Sequence, residues 1–293
     1  MDLMQFRRDG YVVLRNAVDP DLLQPFIDVL SARVAAVAEE RHRSGLVPST
    51  FDELDFDERI AAVYSTGGFV MRDWRQHLRC REYHDIVTSP QLTDPLSTLI
   101  GGEITYQGNS HLRPHLPRHL DRLPWHQDAQ FYGPGIDGML WNMVQVWLPL
   151  SDAPVDGGCM AVVPGSHRWG PIPLPDGRPV TVTTEPEAVY AATGARVRFE
   201  PTALLPMRKG DLLLFTNTLA HTGTENRSGK VRWSVDLRFE ATEGNRSLTA
   251  AEERAYEVTR QRQSSRAAAP LRVRGADGPE PWNVWRRRLA TGS

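Results

Sequence analysis

From residue 103 onward, turn residues divide the chain into short apolar segments. Each segment is rich in Val, Trp, Phe and Leu, and Gly, Pro or Asp separates it from the next. The segments are 103–107, 125–131, 143–150, 159–163, 203–207, 211–216 and 231–240. Many short strands with frequent turn signals predict an all-β barrel or a two-sheet jelly roll. Strands of such a fold pair with partners distant in sequence, so residues far apart along the chain can meet.

The first 102 residues are predicted to be mainly helical, apart from an extended stretch at 11–14. Asp19 and Pro20 open the clearest helix, because Asp caps free backbone N–H groups and Pro suits a first turn. Its apolar residues keep helical spacing until Gly45. Shorter helices are expected at 57–65, 70–79 and 92–99.

The length of 293 residues suits a single domain. We expect a mainly β fold with helical additions, in which a double-stranded β-helix (a jelly roll, cupin-like) forms the core at 103–240. The helices of 1–102 are expected to pack on one sheet of that core.

The C-terminal part, 241–293, is expected to hold a helix and a tail. The helix is predicted at 247–262, where a Thr and a Glu stand at capping-box spacing. The tail from 263 is rich in Arg and Ala and is expected to be loosely ordered, except where Trp282 and Trp285 anchor it.

Charge and composition exclude several classes of partner. There are 34 Lys and Arg against 36 Asp and Glu, and a net charge of −2 gives no strong field for nucleic acid or a membrane surface. No stretch is apolar for long enough to span a bilayer. The cysteines, Cys80 and Cys159, suit free thiols in a reducing cytosol. We expect a cytoplasmic monomer or homodimer that acts on a small molecule.

The sequence Trp-His-Gln-Asp at 125–128 is a candidate metal-binding motif. On an extended strand, His126 and Asp128 would point to the same face, because side chains alternate with a period of two. His221, from a distant strand, would complete two histidines and one carboxylate, which is the ligand set of non-haem Fe(II) oxygenases. A half-buried strand whose His and Asp make ordinary hydrogen bonds is the alternative interpretation.

Two arginines follow His221 on the predicted strand 231–240. A co-substrate with a carboxylate needs a planar, permanently charged fork at the far end of its pocket. Arg232 would provide it for a chelating 2-oxo acid. Arg238 has the same strand parity and is the rival candidate, and either side chain could instead lie on the surface.

Four motifs also stand in a recognisable order along the chain. They are an opening strand at 6–14, the 124–128 motif, a glycine turn with a Pro-Gly-Ser-His loop at 157–167, and His221 with Arg232 eleven residues later. Together they resemble the phytanoyl-CoA dioxygenase family of Fe(II)/2-oxoglutarate oxygenases, over most of residues 4–240. The resemblance implies that His126, Asp128 and His221 bind iron and that Arg232 pairs with the C5 carboxylate of 2-oxoglutarate.

The resemblance implies further roles in the co-substrate pocket. Gln127 and Trp147 fall where family members line that pocket, although a core tryptophan is an equal alternative. The family often has Ser or Thr two residues after the distal histidine. Here Gly223 stands there, and Thr224 is the candidate to replace the missing hydrogen bond. His167, in the Pro-Gly-Ser-His loop, is interpreted as structural.

The cofactors implied are Fe(II), 2-oxoglutarate and O₂, with succinate and CO₂ released as a small metabolite is hydroxylated at an unactivated C–H bond. A secondary-metabolite intermediate is one candidate class of substrate. Halogenases of this type lack the carboxylate ligand, so Asp128 disfavours halogenation. Desaturation, epimerisation and cyclisation use the same ligands and stay open, as does a non-catalytic jelly roll that binds a metal or ligand.

Several polar and aromatic residues near the predicted site are candidates for substrate contact. They are Gln107, His111, Arg113, Gln130, Tyr132, Trp141, Asn142 and Arg238. The basic, Pro-rich segment 113–124 is interpreted either as a lid for an anionic substrate or as a solvated loop.

Overall fold

The computed structural model describes residues 2–118, 125–131, 143–169, 202–242 and 269–291. The α-helices are α1 (Leu3–Asp9), α2 (Pro20–Arg43), α3 (Phe56–Val63), α4 (Arg81–Val87), α5 (Pro90–Ile100) and α6 (Trp282–Thr291). The strands are β1 (Tyr11–Leu14), β2 (Ile104–Tyr106), β3 (His111–His115), β4 (Met143–Pro149), β5 (Met160–Val162), β6 (Ala203–Leu205), β7 (Leu212–Thr216), β8 (His221–Gly223), β9 (Arg232–Ala241) and β10 (Leu271–Arg274). Short 3₁₀ helices lie at Met71–Leu78, Asp128–Phe131 and Ser166–Trp169.

The helix α2 begins as predicted. The carboxylate of Asp19 accepts a hydrogen bond from the backbone N–H of Asp21, and Pro20 occupies the first turn. The helix ends at Arg43, and Gly45 follows with a φ of 69°. Its apolar face is buried in the same hydrophobic core as strand residues such as Val146, and the side chains of Phe26 and Leu30 are fully buried there.

The described strands form two antiparallel sheets, so the jelly-roll prediction is confirmed. The larger sheet has the order β1-β7-β4-β9-β2-β10, with β3 also paired to β9. The smaller sheet has the order β6-β5-β8. Neighbours in the larger sheet come from distant parts of the chain, as where Tyr11 of β1 faces Phe215 of β7.

Alternation along the strands separates the two faces of the larger sheet. On one face, residues such as Val146 and Leu237 pack in the same core as the helix α2, so the helices cover one sheet as expected. On the other face, Gln145, Trp147 and Arg238 line a pocket between the sheets. Successive side chains of a strand point to opposite faces, so β4 serves the core and the pocket at once.

Two parts of the structure extend beyond the predicted core at 103–240. The larger sheet is not confined to 103–240, because β1 lies at one end of it and β10 at the other. The described tail is ordered, since it forms β10 and α6. Trp285 anchors it as predicted, with 0% exposure and a hydrogen bond from its Nε1 to the carbonyl of Ala269 at 2.7 Å.

Other local predictions differ in detail or lie outside the described residues. Segment 125–131 is not a strand, because only His126 makes a β-bridge before a 3₁₀ helix begins. Residues 113–115 of the segment 113–124 belong to β3, whereas 119–124 lie outside the described residues, so its interpretation as a lid or a solvated loop stays a prediction. The predicted helix at 247–262 lies outside the described residues. Within the described ranges, no helix is both long and apolar enough to cross a bilayer.

The Pro-Gly-Ser-His loop docks on the turn between α1 and β1. The backbone N–H of Gly165 donates to the carbonyl of Asp9 at 2.8 Å, and the Nε2 of His167 lies 3.2 Å from the carbonyl of Arg7. The loop that follows β5 is therefore bonded to the end of α1, next to β1, which supports the structural interpretation of His167.

Gly10→Ala is expected to destabilise this junction by about 2–4 kcal/mol. Gly10 has a φ of 82°, and a Cβ there would lie 2.4 Å from the Nδ1 of His167, close to the backbone end of that side chain. Gly45→Ala is the matched control, because Gly45 has a φ of 69° with nothing within 4 Å. Urea unfolding should show the control losing only about 1 kcal/mol. Equal losses would mean that the contact with His167 is unimportant.

Candidate metal centre and active site

A β-bridge places the two predicted histidine ligands side by side. The backbone N–H of His126 donates to the carbonyl of His221, and the reverse bond is also made, each at 3.0 Å. The ring centroids are 4.2 Å apart, and both side chains are buried. The strand β8 begins at His221, so the smaller sheet positions this pair.

Asp128 lies beside the two histidines, but the backbone that places it there is not the predicted strand. It does not share an extended strand with His126 but begins the 3₁₀ helix Asp128–Phe131. Its Oδ1 lies 3.5 Å from the Nε2 of His126 and 3.8 Å from the Nε2 of His221. These distances are too long for good hydrogen bonds. All three ligand atoms lie within 4.8 Å of one another, so one metal ion can reach them together.

The protonation states of this cluster suit a divalent metal. The Nδ1 of His221 faces the carbonyl of Leu219 at 2.9 Å and so carries the proton, which leaves the Nε2 lone pair free for a metal. Burial lowers the pKa of His221 to about 4. Burial alone would raise the pKa of the Asp128 carboxyl, but Arg238 and the histidines hold that pKa well below its usual range. A neutral imidazole and a buried carboxylate fit Fe(II).

Arg238 forms a buried ion pair with Asp128. Its Nη2 donates to the Oδ2 of Asp128 at 2.8 Å, and both side chains are less than a tenth exposed. Its Nη1 donates to the carbonyl of Asn109 at 3.3 Å. The structure therefore places the rival arginine on the carboxylate of the metal cluster, a contact that the sequence did not indicate.

Arg232 is also buried in the pocket, but it has no carboxylate partner among the described residues. Its Nη1 donates to the carbonyl of Gly158 at 2.8 Å, its guanidinium carbon lies 5.4 Å from the centre of a Trp147 ring, and its Nε has no partner in the described structure. Burial lowers the pKa of Arg232 to about 10. A Cβ on Gly223 would lie 3.7 Å from its Nη1, so Arg232 reaches the strand that carries His221. An anionic ligand would compensate this charge.

These residues line one shared pocket between the two sheets. Arg113, one of the predicted substrate residues, lines it and forms an ion pair with Asp236. The apolar wall of the pocket includes the side chains of Met71, Met160 and Phe215. A concave site with an apolar wall and a few fixed polar groups is typical of a small-molecule site.

Gln145 is a pocket residue that the sequence analysis missed. It is 1% exposed, and neither its Oε1 nor its Nε2 has a hydrogen-bond partner among the described residues. It lies on β4 between Phe215 of β7 and Arg238 of β9. A buried amide without partners is costly, so this side chain is suited to meet a ligand.

Two predicted co-substrate residues do not line the described pocket. The Nε2 of Gln127 donates to the carbonyl of Thr218 at 2.6 Å, which holds the loop before β8. The hydroxyl of Thr224 donates to the carbonyl of Cys159 at 2.9 Å. Thr224 therefore does not supply the co-substrate hydrogen bond that a Ser or Thr at position 223 would make, because its hydroxyl is bonded to Cys159.

The remaining predicted substrate residues fall into two groups. Gln107 and His111 do not line the described pocket. The Nε2 of Gln107 donates to the Oε2 of Glu240 at 2.9 Å, and His111 of β3 is paired with Asp236 of β9. The others lie where the structure gives no side-chain description. Gln130 is within the 3₁₀ helix that Asp128 begins, without a described side chain, and Tyr132, Trp141 and Asn142 lie outside the described residues.

Comparison with known proteins is consistent with this geometry. A curated relative, 1-deoxypentalenic acid 11-beta-hydroxylase of Streptomyces exfoliatus, is 24% identical over 260 residues, covering 82% of this chain and 81% of its own.

Solved structures share the fold at low identity. The non-haem monooxygenase ThoJ has a TM-score of 0.57 at 19% identity, covering 90% of this chain and 96% of its own. EctD from S. alaskensis, solved with 2-oxoglutarate and 5-hydroxyectoine, has a TM-score of 0.54 at 19% identity, covering 98% and 84%.

The family model for phytanoyl-CoA dioxygenase (PhyH) matches residues 6–234, which is most of the chain and spans all three residues of the metal cluster. The predicted cofactors, Fe(II) and 2-oxoglutarate, are confirmed at the level of the family. The chain therefore belongs to the phytanoyl-CoA dioxygenase family and is an Fe(II)- and 2-oxoglutarate-dependent dioxygenase.

Proposed function

We propose that this protein hydroxylates an unactivated C–H bond of a small metabolite. In this proposal His126, Asp128 and His221 hold Fe(II), and Arg232 binds the C5 carboxylate of 2-oxoglutarate. One observation carries it: a buried two-histidine, one-carboxylate cluster shares a pocket with a buried arginine that has no carboxylate partner among the described residues.

Each of these residues has a physical task. His126, Asp128 and His221 would hold Fe(II) through three ligand atoms, and Fe(II) with 2-oxoglutarate and O₂ would supply the oxidation that yields succinate, CO₂ and a hydroxylated product. The guanidinium of Arg232 fixes the far end of the co-substrate through charge-assisted hydrogen bonds. The apolar wall of Met160 and Phe215 limits water near the reacting C–H bond.

The outcome and the substrate class follow from further features. The carboxylate ligand Asp128 supports hydroxylation over halogenation. The Streptomyces exfoliatus relative is named as a hydroxylase of 1-deoxypentalenic acid, which supports a small metabolite, with a secondary-metabolite intermediate as the first class to test. The free cysteines Cys80 and Cys159 support a cytoplasmic location, for a monomer or homodimer.

The proposal is tested by adding Fe(II) and 2-oxoglutarate to the protein without oxygen. A weak visible charge-transfer band is expected, because the keto acid would chelate the metal. A folded protein that gives no band would contradict the proposal. A screen of candidate metabolites for stimulated succinate release, with the products analysed by mass, then separates hydroxylation (a gain of one oxygen) from desaturation, cyclisation and epimerisation.

Gln145→Met is expected to stabilise the ligand-free protein while weakening function. Met has a similar shape and removes a buried amide without partners in the described structure, which corresponds to a gain of about 1–3 kcal/mol. The melting temperature without ligands should therefore rise, and substrate-stimulated succinate release should fall. Gln127→Met is the matched control, because its amide is hydrogen-bonded to Thr218, and it should lower the melting temperature. A lower melting temperature for Gln145→Met would show that its amide is already satisfied.

A further inference from the structure

Arg238 controls one oxygen of the metal-binding carboxylate. Its Nη2 donates to the Oδ2 of Asp128 at 2.8 Å, whereas the Oδ1 of Asp128 is the oxygen that faces both histidines. The carboxylate therefore presents a single oxygen to the metal position. The second oxygen is held by a charged hydrogen bond inside the protein, where water does not compete.

Arg238 is itself fixed in place. It lies on β9 opposite Gln145 of β4, and its Nη1 reaches the carbonyl of Asn109. The side-chain oxygen of Asn109 accepts a hydrogen bond from Arg75 at 2.8 Å, on the 3₁₀ helix Met71–Leu78. This chain of contacts ties the carboxylate to the sheet and to the helical layer.

The other arginines of the described pocket have different partners. Arg113 pairs with Asp236, and Arg232 donates to the carbonyl of Gly158. Only Arg238 contacts a residue of the metal cluster among these three. The pocket thus contains a matched control, since Arg113 and Asp236 form a comparable ion pair on the same face of β9.

We infer that Arg238 is a positioning residue that keeps Asp128 a one-oxygen ligand of the metal. This inference rests on the proposed function, because it assigns the metal to the cluster of His126, Asp128 and His221. Holding the Oδ2 away leaves the neighbouring coordination positions for 2-oxoglutarate and O₂. Without Arg238, the carboxylate would be free to rotate away from the metal position, and both the metal and the co-substrate would meet a disordered site.

The test measures metal binding, not turnover. Co(II) is titrated into the wild type, Arg238→Met, Arg238→Lys and Arg113→Met, with the visible Co(II) bands as readout. Loss of a residue that orients a metal ligand weakens metal binding by about 10- to 100-fold, which is the result expected for Arg238→Met. Arg238→Lys should recover part of this loss, because it restores one charged donor. Arg113→Met should stay within about threefold of the wild type, because it lies outside the cluster.

A second titration adds 2-oxoglutarate to each Co(II)-loaded protein, where Arg238→Met should also bind the co-substrate more weakly. Near-ultraviolet circular dichroism confirms folding. Should Arg238→Met not fold, Arg238→Lys decides, with weaker Co(II) binding than the wild type expected. Unchanged or tighter Co(II) binding by a folded Arg238 variant, or an equal loss in Arg113→Met, would overturn the inference. Failure of the wild type itself to bind Co(II) would overturn the proposed function instead.

Discussion

Asp128→Ala is expected to lower succinate formation from 2-oxoglutarate by at least about 100-fold. Loss of a residue that only orients a metal ligand already lowers metal affinity or activity by up to about 100-fold, and Asp128 is itself a proposed ligand. The variant removes the only carboxylate of the described metal cluster. It also breaks the buried ion pair of Asp128 with Arg238, and breaking such a pair costs about 3–5 kcal/mol. We therefore expect a folded protein with a lower melting temperature and no charge-transfer band with Fe(II) and 2-oxoglutarate.

Two further variants separate metal loss from ion-pair loss. Asp236→Ala breaks the comparable pair with Arg113, and the charge-transfer band should survive. Asp128→Ala combined with Arg238→Met removes both members of the ion pair, so stability should recover while the band stays absent. Normal turnover in Asp128→Ala would refute its role as a ligand.

Arg232→Met is expected to raise the dissociation constant for 2-oxoglutarate at least about 30-fold, because removing one member of a buried charge pair costs 2 kcal/mol or more. Metal binding should be retained, since Arg232 has no contact with the metal cluster among the described residues. Titration of 2-oxoglutarate into the Fe(II)-loaded protein without oxygen measures this constant.

A co-substrate analogue isolates the contact itself. 2-Oxobutyrate keeps the chelating keto acid but lacks the C5 carboxylate. The wild type should strongly prefer 2-oxoglutarate, and Arg232→Met should lose most of that preference, which makes the comparison a double-mutant cycle. An undiminished preference would mean that another group binds the C5 carboxylate. If the preference were lost in Arg113→Met instead, Arg113 would be that group.

The jelly roll could be predicted because alternation and turn residues are local signals. The strands that escaped prediction are those whose polar residues face the pocket or the surface. The strand β3 reads His-Leu-Arg-Pro-His, which suggested a basic loop, and β10 alternates buried Leu271 and Val273 with two arginines. Their strand character depends on pairing with β9 and β2, and sequence spacing does not show pairing with distant partners.

The metal cluster could be predicted because its residue types and intervals are specific in combination. Gln145 and Asp236 could not, since only burial and the partners of each polar atom mark them as pocket residues. Strand parity placed Arg232 and Arg238 on one face correctly. Which arginine meets Asp128 depends on the path of the chain at 126–128, where a 3₁₀ helix replaced the predicted strand.

The bridge between His126 and His221 means that the metal cluster is complete only in the folded protein. The two residues are 95 positions apart, and their rings lie side by side only when His126 is paired with His221 at the start of β8. A metal that binds only the folded state cross-links the ends of this long loop and stabilises the native protein by mass action. Amide hydrogen exchange at these two positions should therefore slow when metal is added, and would report assembly of the two sheets directly.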